Sequence, residues 1–426
     1  MVNPMQSTPS APLTADSARP IDSAENIPGK WRALLLLTLA ELLAMAVWFS
    51  ASAVLSPLTD AWNLTDSGKS WLTMSVQIGF VVGAFGSAVL TLADRIPPKW
   101  LFAVSTTLAG ITTALIPLFA DGLTLALILR FLTGVFLAGV YPIGMKLMTT
   151  WTIKDRGLGI GLLVGGLTIG SASPHLLNGL GGVDSWKPVL YLAAGLAFVG
   201  ALIGVVFIRE GPFKTKSAPF NIKYIGTILR DRDVMLANLG YLGHMWELYA
   251  MWSWVQSFLL ASFIISDVAS KWASLVAFAV IAAGGLGSFL AGRLADKFGR
   301  TTVTTASLVI SGICALLIGQ FFGGSPILLS AIALIWGFAI VADSAQFSAC
   351  VSELADKQYV GTALTLQTSM GFLLTLASIR LLPVVERAVG WDWAFAFLAI
   401  GPVIGVWAMQ TLRRSPASAR LASGRG

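Results

Sequence analysis

Charge is what this sequence has least of. Only 12% of its 426 residues are Asp, Glu, Lys or Arg, while 56% are hydrophobic; a soluble domain carries about 25% charged residues. So few charges cannot cover a water-facing surface of this size. Cysteine is nearly absent as well. Cys314 and Cys350 lie in apolar runs, which excludes a disulfide framework and leaves them as packing residues. The only two histidines, His175 and His244, fall in different halves of the chain, too sparse for the clustered side chains of an intramembrane enzyme. No Gly-rich loop ending in Gly-Lys-Ser/Thr is present, so direct ATP hydrolysis has no support. Enzymatic activity, a cofactor and a metal are therefore not expected.

What is there instead is a succession of apolar runs of roughly 20 residues, the length that crosses about 30 Å of hydrocarbon. Cutting them at polar breaks predicts an all-α membrane protein with twelve transmembrane helices. The first six span 33–57, 70–92, 99–120, 123–149, 157–181 and 188–208. The second six span 234–262, 271–292, 301–322, 325–350, 359–384 and 391–412. Spans nine and ten meet at the short turn Phe322-Gly323-Gly324-Ser325-Pro326, which suits a tight helical hairpin.

Residues 1–32 are rich in Ser, Pro, Ala and Asp and lack the basic start and apolar core of a signal peptide, so a disordered cytoplasmic tail is expected. Two six-helix bundles come next in this reading, 33–208 and 234–412. The linker 209–233 carries Ile222, Ile225, Ile228 and Leu229 at helical spacing and predicts an amphipathic helix on the inner leaflet. Residues 413–426 form a second cytoplasmic tail. No interval remains for an extramembrane catalytic or output domain.

The net charge of +7 belongs to topology, not to nucleic acid. Of 28 Lys and Arg residues, 21 fall in the segments that are cytoplasmic when the N-terminus is inside, and 4 on the opposite side. Cytoplasmic loops retain such residues, which places both termini in the cytoplasm of a multi-pass inner-membrane protein. The remaining three, Arg130, Lys146 and Arg380, lie inside spans.

The two halves are related. Glu41-Leu42-Leu43-Ala44-Met45-Ala46-Val47-Trp48 in span one matches Glu247-Leu248-Tyr249-Ala250-Met251-Trp252-Ser253-Trp254 in span seven. Leu92-Ala93-Asp94-Arg95 matches Leu294-Ala295-Asp296-Lys297, and Gly134 matches Gly337. Near-equal offsets in one order make an internal duplication, a common construction of transporters.

The stretch Gly292-Arg293-Leu294-Ala295-Asp296-Lys297-Phe298-Gly299-Arg300, between spans eight and nine, resembles the Asp-basic loop signature of the major facilitator superfamily. The first copy keeps Asp94 and Arg95 but has Pro97 where the family has Gly. Arg130-Phe131-Leu132-Thr133-Gly134 resembles the family's span-four pattern, and the Gly-rich fifth span with Ser173-Pro174 echoes its antiporters, with Ser173 in place of Gly. The Glu-x-x-Ala-Met helix and the Arg130/Arg380 pair are loosely similar to the nitrate/nitrite and cyanate porter branches. The resemblance implies transport, and cytoplasmic loops that latch the halves in one state and release in the other. Asp94, Arg95, Gly292, Arg293, Asp296, Gly299 and Arg300 are the gating candidates; an ordinary positive-inside loop with local pairing is the alternative.

A charge in a transmembrane helix is costly unless paired or hydrated, so each marks a candidate site. Glu41 and Glu247, at matching places on helices that line the family's cavity, are the candidates for carrying a proton, because burial disfavours a charged carboxyl. His244, three residues before Glu247 on one helical face, shares that proton or merely packs. The glutamates alternatively form static pairs with Arg130 or Arg380. Arg130 and Arg380 otherwise face an anionic substrate. Asp343 in span ten, with Trp48, Tyr249, Trp254 and Gln256, completes the predicted substrate lining. Lys146 reaches the inner headgroups. His175 and Asn178 satisfy a backbone carbonyl freed by Pro174.

These features predict a monomeric secondary active transporter that moves a small anion or small organic solute by alternating access, coupled to protons. Proton-coupled drug efflux is the alternative within transport, and a transporter-like membrane sensor the alternative outside it.

Overall fold

The computed structural model describes residues 27–152, 156–181, 185–213 and 220–426, and every regular element among them is helical. In the first half the main helices are α1 (Lys30–Met45), α2 (Leu55–Trp62), α3 (Asp66–Val89), α4 (Pro98–Phe119), α5 (Leu123–Leu137), α6 (Tyr141–Thr149), α7 (Arg156–Gly181) and α8 (Trp186–Phe207). After the short α9 (Ile225–Arg230) come α10 (Arg232–Ile265), α11 (Ser270–Phe298), α12 (Arg300–Leu317), α13 (Pro326–Ala342), α14 (Ser344–Leu354), α15 (Val360–Val389) and α16 (Ile400–Arg413).

The boundaries follow from local chemistry. The Thr65 side chain caps α3 by accepting from the Gly68 N–H at 3.2 Å. Asp231 Oδ1 caps α10 by accepting from the N–H groups of Asp233 and Val234, both at 3.1 Å. Pro98 and Pro326 open α4 and α13, where a missing N–H costs nothing. Among the described residues eleven helical segments are long and apolar enough to cross a membrane. The predicted first span is the exception. It runs as α1, an unwound turn over 46–51, and then Ser52–Val54 and α2.

Helices pair along small-residue seams. In the first half α3 packs on α5, α4 on α8, and α1 on α7 and α8; in the second, α11 packs on α13, α10 on α15 and α16, and α12 on α16. The two halves meet where α7 lies along α11 and α3 along α15. The duplication is visible in three dimensions: a Cβ on Gly134 would strike the Val76 carbonyl of α3, and one on Gly337 would strike the Val280 carbonyl of α11. With little hydrophobic drive between helices in lipid, such close backbone approach is what holds them together. Gly86 of α3, by contrast, faces open space. Gly134→Val or Gly337→Val should each cost about 1–3 kcal/mol through overpacking, read as a lower unfolding midpoint in detergent, whereas Gly86→Val should leave the midpoint unchanged.

One expectation outside the spans changes. Residues 1–26 of the predicted tail and 214–219 of the linker lie outside the described residues. In the rest of the linker Ile222–Tyr224 and Ile225–Arg230 are helical, with Ile228 buried against the bundle and Ile222 and Leu229 exposed. The segment 413–426 is packed, not a free tail. Leu421 is fully buried, Arg420 Nη2 donates to the Glu353 and Leu354 carbonyls, and Arg425 donates to the Asp296 carbonyl. Gly299, in a left-handed conformation (φ 92°), lies against the Arg425 and Gly426 carbonyls.

Candidate functional site

The unwound turn at 46–51 exposes backbone carbonyls inside the protein, and Arg130 of α5 collects them. Its Nη1 donates to the Val47 carbonyl at 2.7 Å and to Ser50 Oγ at 3.3 Å. Its Nη2 donates to the Trp48 carbonyl, and its Nε to the Leu72 carbonyl of α3 at 3.3 Å. The side chain is completely buried. The fork of guanidinium donors suits several acceptors at once, and the freed carbonyls have no water to turn to. Arg130 therefore neither pairs with a glutamate nor faces a solute, as its sequence position suggested; it is the cap of a broken helix. Asn178 completes the repair, donating to the Ala53 carbonyl at 2.9 Å and to Ser274 Oγ at 3.0 Å. The carbonyl it serves is in the first span, not the one expected near Pro174.

The repeat-related carboxylates have unlike surroundings. Glu41 is completely buried and neither carboxylate oxygen has a hydrogen-bond partner among the described residues. Gly144 of α6 leaves the room it occupies, since a Cβ there would meet Glu41 Oε2. Glu247 is equally buried but held at both ends: Trp336 Nε1 donates to Oε1 at 2.6 Å and Ser311 Oγ to Oε2 at 3.0 Å. His244 does not share a proton with Glu247. Its Nδ1 lies 2.9 Å from Asp343 Oδ1, with both side chains buried. Asp343 sits at the break between α13 and α14, beside His244, and borders none of the three cavities described below.

A cavity of about 440 Å³ opens between α3 and α6 on one side and α14 and α15 on the other, at the end that carries the two Asp-basic loops. Its wall is rich in hydroxyls, including Tyr141, Thr149, Ser348, Ser352, Thr365 and Thr368. A space of about 60 Å³ continues it toward the middle of the molecule, sharing Tyr141, Ser348 and Thr368 and reaching Trp48, Tyr249 and Phe372. There the path ends in aromatic rings from both halves. Trp48 lies 5.0 Å from Phe80, 5.6 Å from Phe372 and 6.1 Å from Tyr249, measured between ring centroids. Phe49 adds contacts to Tyr249 and Trp252 at 5.9 and 5.6 Å.

Trp48 and Tyr249 border this junction space, whereas Arg130, Asp343, Trp254, Gln256 and Arg380 border neither it nor the larger cavity. Trp254 donates its Nε1 to the Ile379 carbonyl at 3.1 Å and borders a separate recess of about 350 Å³ at the opposite end, beside Asp66, Lys69 and Glu386. Gln256 is tied between His175 Nδ1 at 2.8 Å and Ser274 Oγ at 2.9 Å. Arg380 borders none of these three cavities, and its Nη1 is buried without an acceptor. Nothing in the sequence singles out Phe80, Tyr141 or Phe372, because a lone aromatic in an apolar run carries no positional signal.

At the loop end Asp94 pairs with Lys146 Nζ at 2.7 Å, and the same ammonium donates to the Ala93 carbonyl at 2.7 Å, so Lys146 is a loop partner rather than a headgroup contact. Arg95 is exposed, and Arg293 lies 6.0 Å from the Phe289 ring. Arg300 is bidentate to Glu353 at 2.8 and 2.6 Å, donates to Gln346 Oε1 at 2.8 Å, and lies 3.8 Å from Asp296. Asp296 and Gly292 face Gly157 in the first turn of α7, across the boundary between halves, where a helix N-terminus favours a carboxylate. The Asp94–Lys146 pair is half exposed and worth no more than about 1 kcal/mol. In a double-mutant cycle Asp94→Asn and Lys146→Met should lower the unfolding midpoint by similar small amounts, and the double variant by no more than either.

A broken first helix, paired glycine seams at corresponding places in both halves, and a cavity between the halves coincide with a family profile. The Major Facilitator Superfamily matches residues 37–269 and again 238–426. The chain belongs to this superfamily. As a superfamily member it is similar to the NiaP protein of Bacillus subtilis, named for niacin/nicotinamide transport, with 25% identity over 269 residues, 61% of this chain and 64% of that one. It is also similar to the glycerol-3-phosphate transporter of the same organism, with 21% identity over 81% of this chain and 83% of that one. Among solved structures it shares its fold with the nucleoside transporter NupG, at a TM-score of 0.67 and 16% identity over 90% of this chain and 99% of that one. It is a multi-pass membrane transport protein, not an enzyme.

Proposed function

We propose that this chain is a monomeric secondary active transporter of the cytoplasmic (inner) membrane, with both termini inside, that moves a small organic solute by alternating access driven by protons. The twelfth span is the broken pair of α1 and α2, which gives two pseudo-symmetric six-helix bundles, 33–208 and 234–412. One observation carries the alternating-access reading: the cavity between the halves is open at the basic-loop end and stopped by cross-half aromatic rings before the other. That is the shape of an inward-facing state, and rocking the halves would exchange which end is stopped.

Proton coupling rests on Glu41 and on the His244–Asp343 pair. An ionised carboxylate buried without a partner is expensive, so Glu41 suits a proton carrier whose surroundings change as the halves rock. An anionic cargo loses its support, since Arg130 is fully engaged by carbonyls and Arg380 lies off the cavity.

Reconstitution into proteoliposomes tests the reading. Under an imposed pH gradient the protein should accumulate solute severalfold above equilibrium and should exchange labelled for unlabelled solute without a gradient. Exchange that runs normally while the gradient drives no accumulation would remove proton coupling. Binding without movement in either assay would favour a sensor.

A further inference from the structure

We propose that the cargo is an uncharged, flat aromatic molecule bearing a hydrogen-bond acceptor, bound where the hydroxyl-lined cavity meets the aromatic rings. The inference rests on the transport reading and adds the chemistry of the solute. One named relative carries a heteroaromatic solute and another an aliphatic phosphate, so kinship does not decide the class and the lining must.

Three features of the lining select this class. The first is ring composition: Trp48, Phe80, Tyr249 and Phe372 come from four different segments and both halves, with centroids 4.6–6.1 Å apart. Aliphatic side chains would stop water as well, but only rings reward a ring, by offset and edge-to-face contact. The second is a surplus of donors. The indole N–H groups of Trp48 and Trp252 are buried and have no acceptor among the described residues, although both residues border the junction space. Indole nitrogen can only donate, and a buried donor left unpaired is costly. The hydroxyls of Tyr141, Tyr241 and Tyr249 border the same space and have no partner among the described residues.

The third is the absence of usable charge. None of the residues bordering the junction space is Asp, Glu, Lys or Arg. In the larger cavity Asp94 is paired with Lys146, and Arg300 with Glu353. Among the described residues an anion finds no free cation there. A cation would find ring faces but, among the described residues, no free carboxylate. The junction space of about 60 Å³ is smaller than a ring, so the solute lies across its opening into the cavity of about 440 Å³.

The test measures binding to the full-length protein in detergent, by tryptophan quenching and thermal shift, with benzamide, benzoate, cyclohexanecarboxamide and benzyltrimethylammonium. Benzamide should bind about tenfold more tightly than each of the other three. Trp48→Phe and, as an independent variant, Trp252→Phe keep a ring and remove a donor, and each should weaken benzamide by about tenfold while leaving the unfolding midpoint of the free protein near that of the parent. Phe372→Leu should erase the preference for benzamide over cyclohexanecarboxamide. Equal binding of the two amides, or tighter binding of benzoate or of the ammonium, would overturn the proposal and leave transport intact. Benzamide that binds as expected but is not moved in proteoliposomes would sustain this inference and defeat the transport reading.

Discussion

Arg130→Ala should abolish recovery of folded protein from the membrane. The substitution strips a donor from each of the Val47, Trp48 and Leu72 carbonyls. Val47 keeps Ser50 Oγ at 2.9 Å and Leu72 keeps its place in the α3 ladder, which leaves the Trp48 carbonyl as the orphan. That orphaned acceptor costs about 1–3 kcal/mol, and the void left by a fully buried side chain adds about 3–5 kcal/mol, together a large share of the stability of an ordinary domain, about 5–15 kcal/mol. Arg130→Lys keeps the charge but offers a compact ammonium in place of a planar fork, and should give folded protein of clearly lower midpoint. Size-exclusion profiles and thermal unfolding in detergent check both. A well-folded Arg130→Ala protein that had lost only the transport of anions would restore Arg130 to the substrate site.

Glu41→Gln should separate movement from coupling. The amide matches the neutral carboxyl in shape and cannot release a proton, so gradient-driven accumulation should fall by at least about tenfold, while exchange without a gradient persists and loses its pH dependence. Glu247→Gln should behave differently. Its carboxylate already accepts from Trp336 and Ser311. An amide can keep its oxygen on the Trp336 N–H and donate its nitrogen to Ser311 Oγ, whose hydrogen then goes to the Leu308 carbonyl. The fold should therefore persist, and the loss of coupling should be smaller than for Glu41→Gln. If the two variants lost coupling equally, the distinction between the halves would be wrong.

In sequence the two glutamates look alike, and the structure explains why they are not. What satisfies Glu247 comes from other helices. Trp336 precedes Gly337 as Thr133 precedes Gly134, and the Thr133 hydroxyl is spent on the Leu129 carbonyl and on Thr112. The repeat could therefore place the carboxylates but not their partners. The same holds for Arg130. Its counterpart four residues before Gly337 is Ala333, and in that half α10 runs unbroken from Arg232 to Ile265. Hydropathy located every later span to within a few residues, because lipid imposes a length and an apolar surface. The break at 46–51 left no trace, since Ala46-Val47-Trp48-Phe49-Ser50-Ala51 contains neither Pro nor Gly. Its cause lies 80 residues away in a guanidinium that outcompetes the helix for its own carbonyls. Lys146, a plausible headgroup ligand by position alone, is claimed by Asp94 because folding brings the first Asp-basic loop beside it.

That break has a mechanical consequence. A helix of 34 residues such as α10 moves as a rod, so any tilt at one end is transmitted to the other. The first span is jointed: α2 can swing on the turn held by Arg130 and Asn178 while α1 keeps its seat on α7 and α8. The two halves, alike in plan, therefore bear load differently, one stiff and one compliant, and the compliant one sets Trp48 against the rings of its partner.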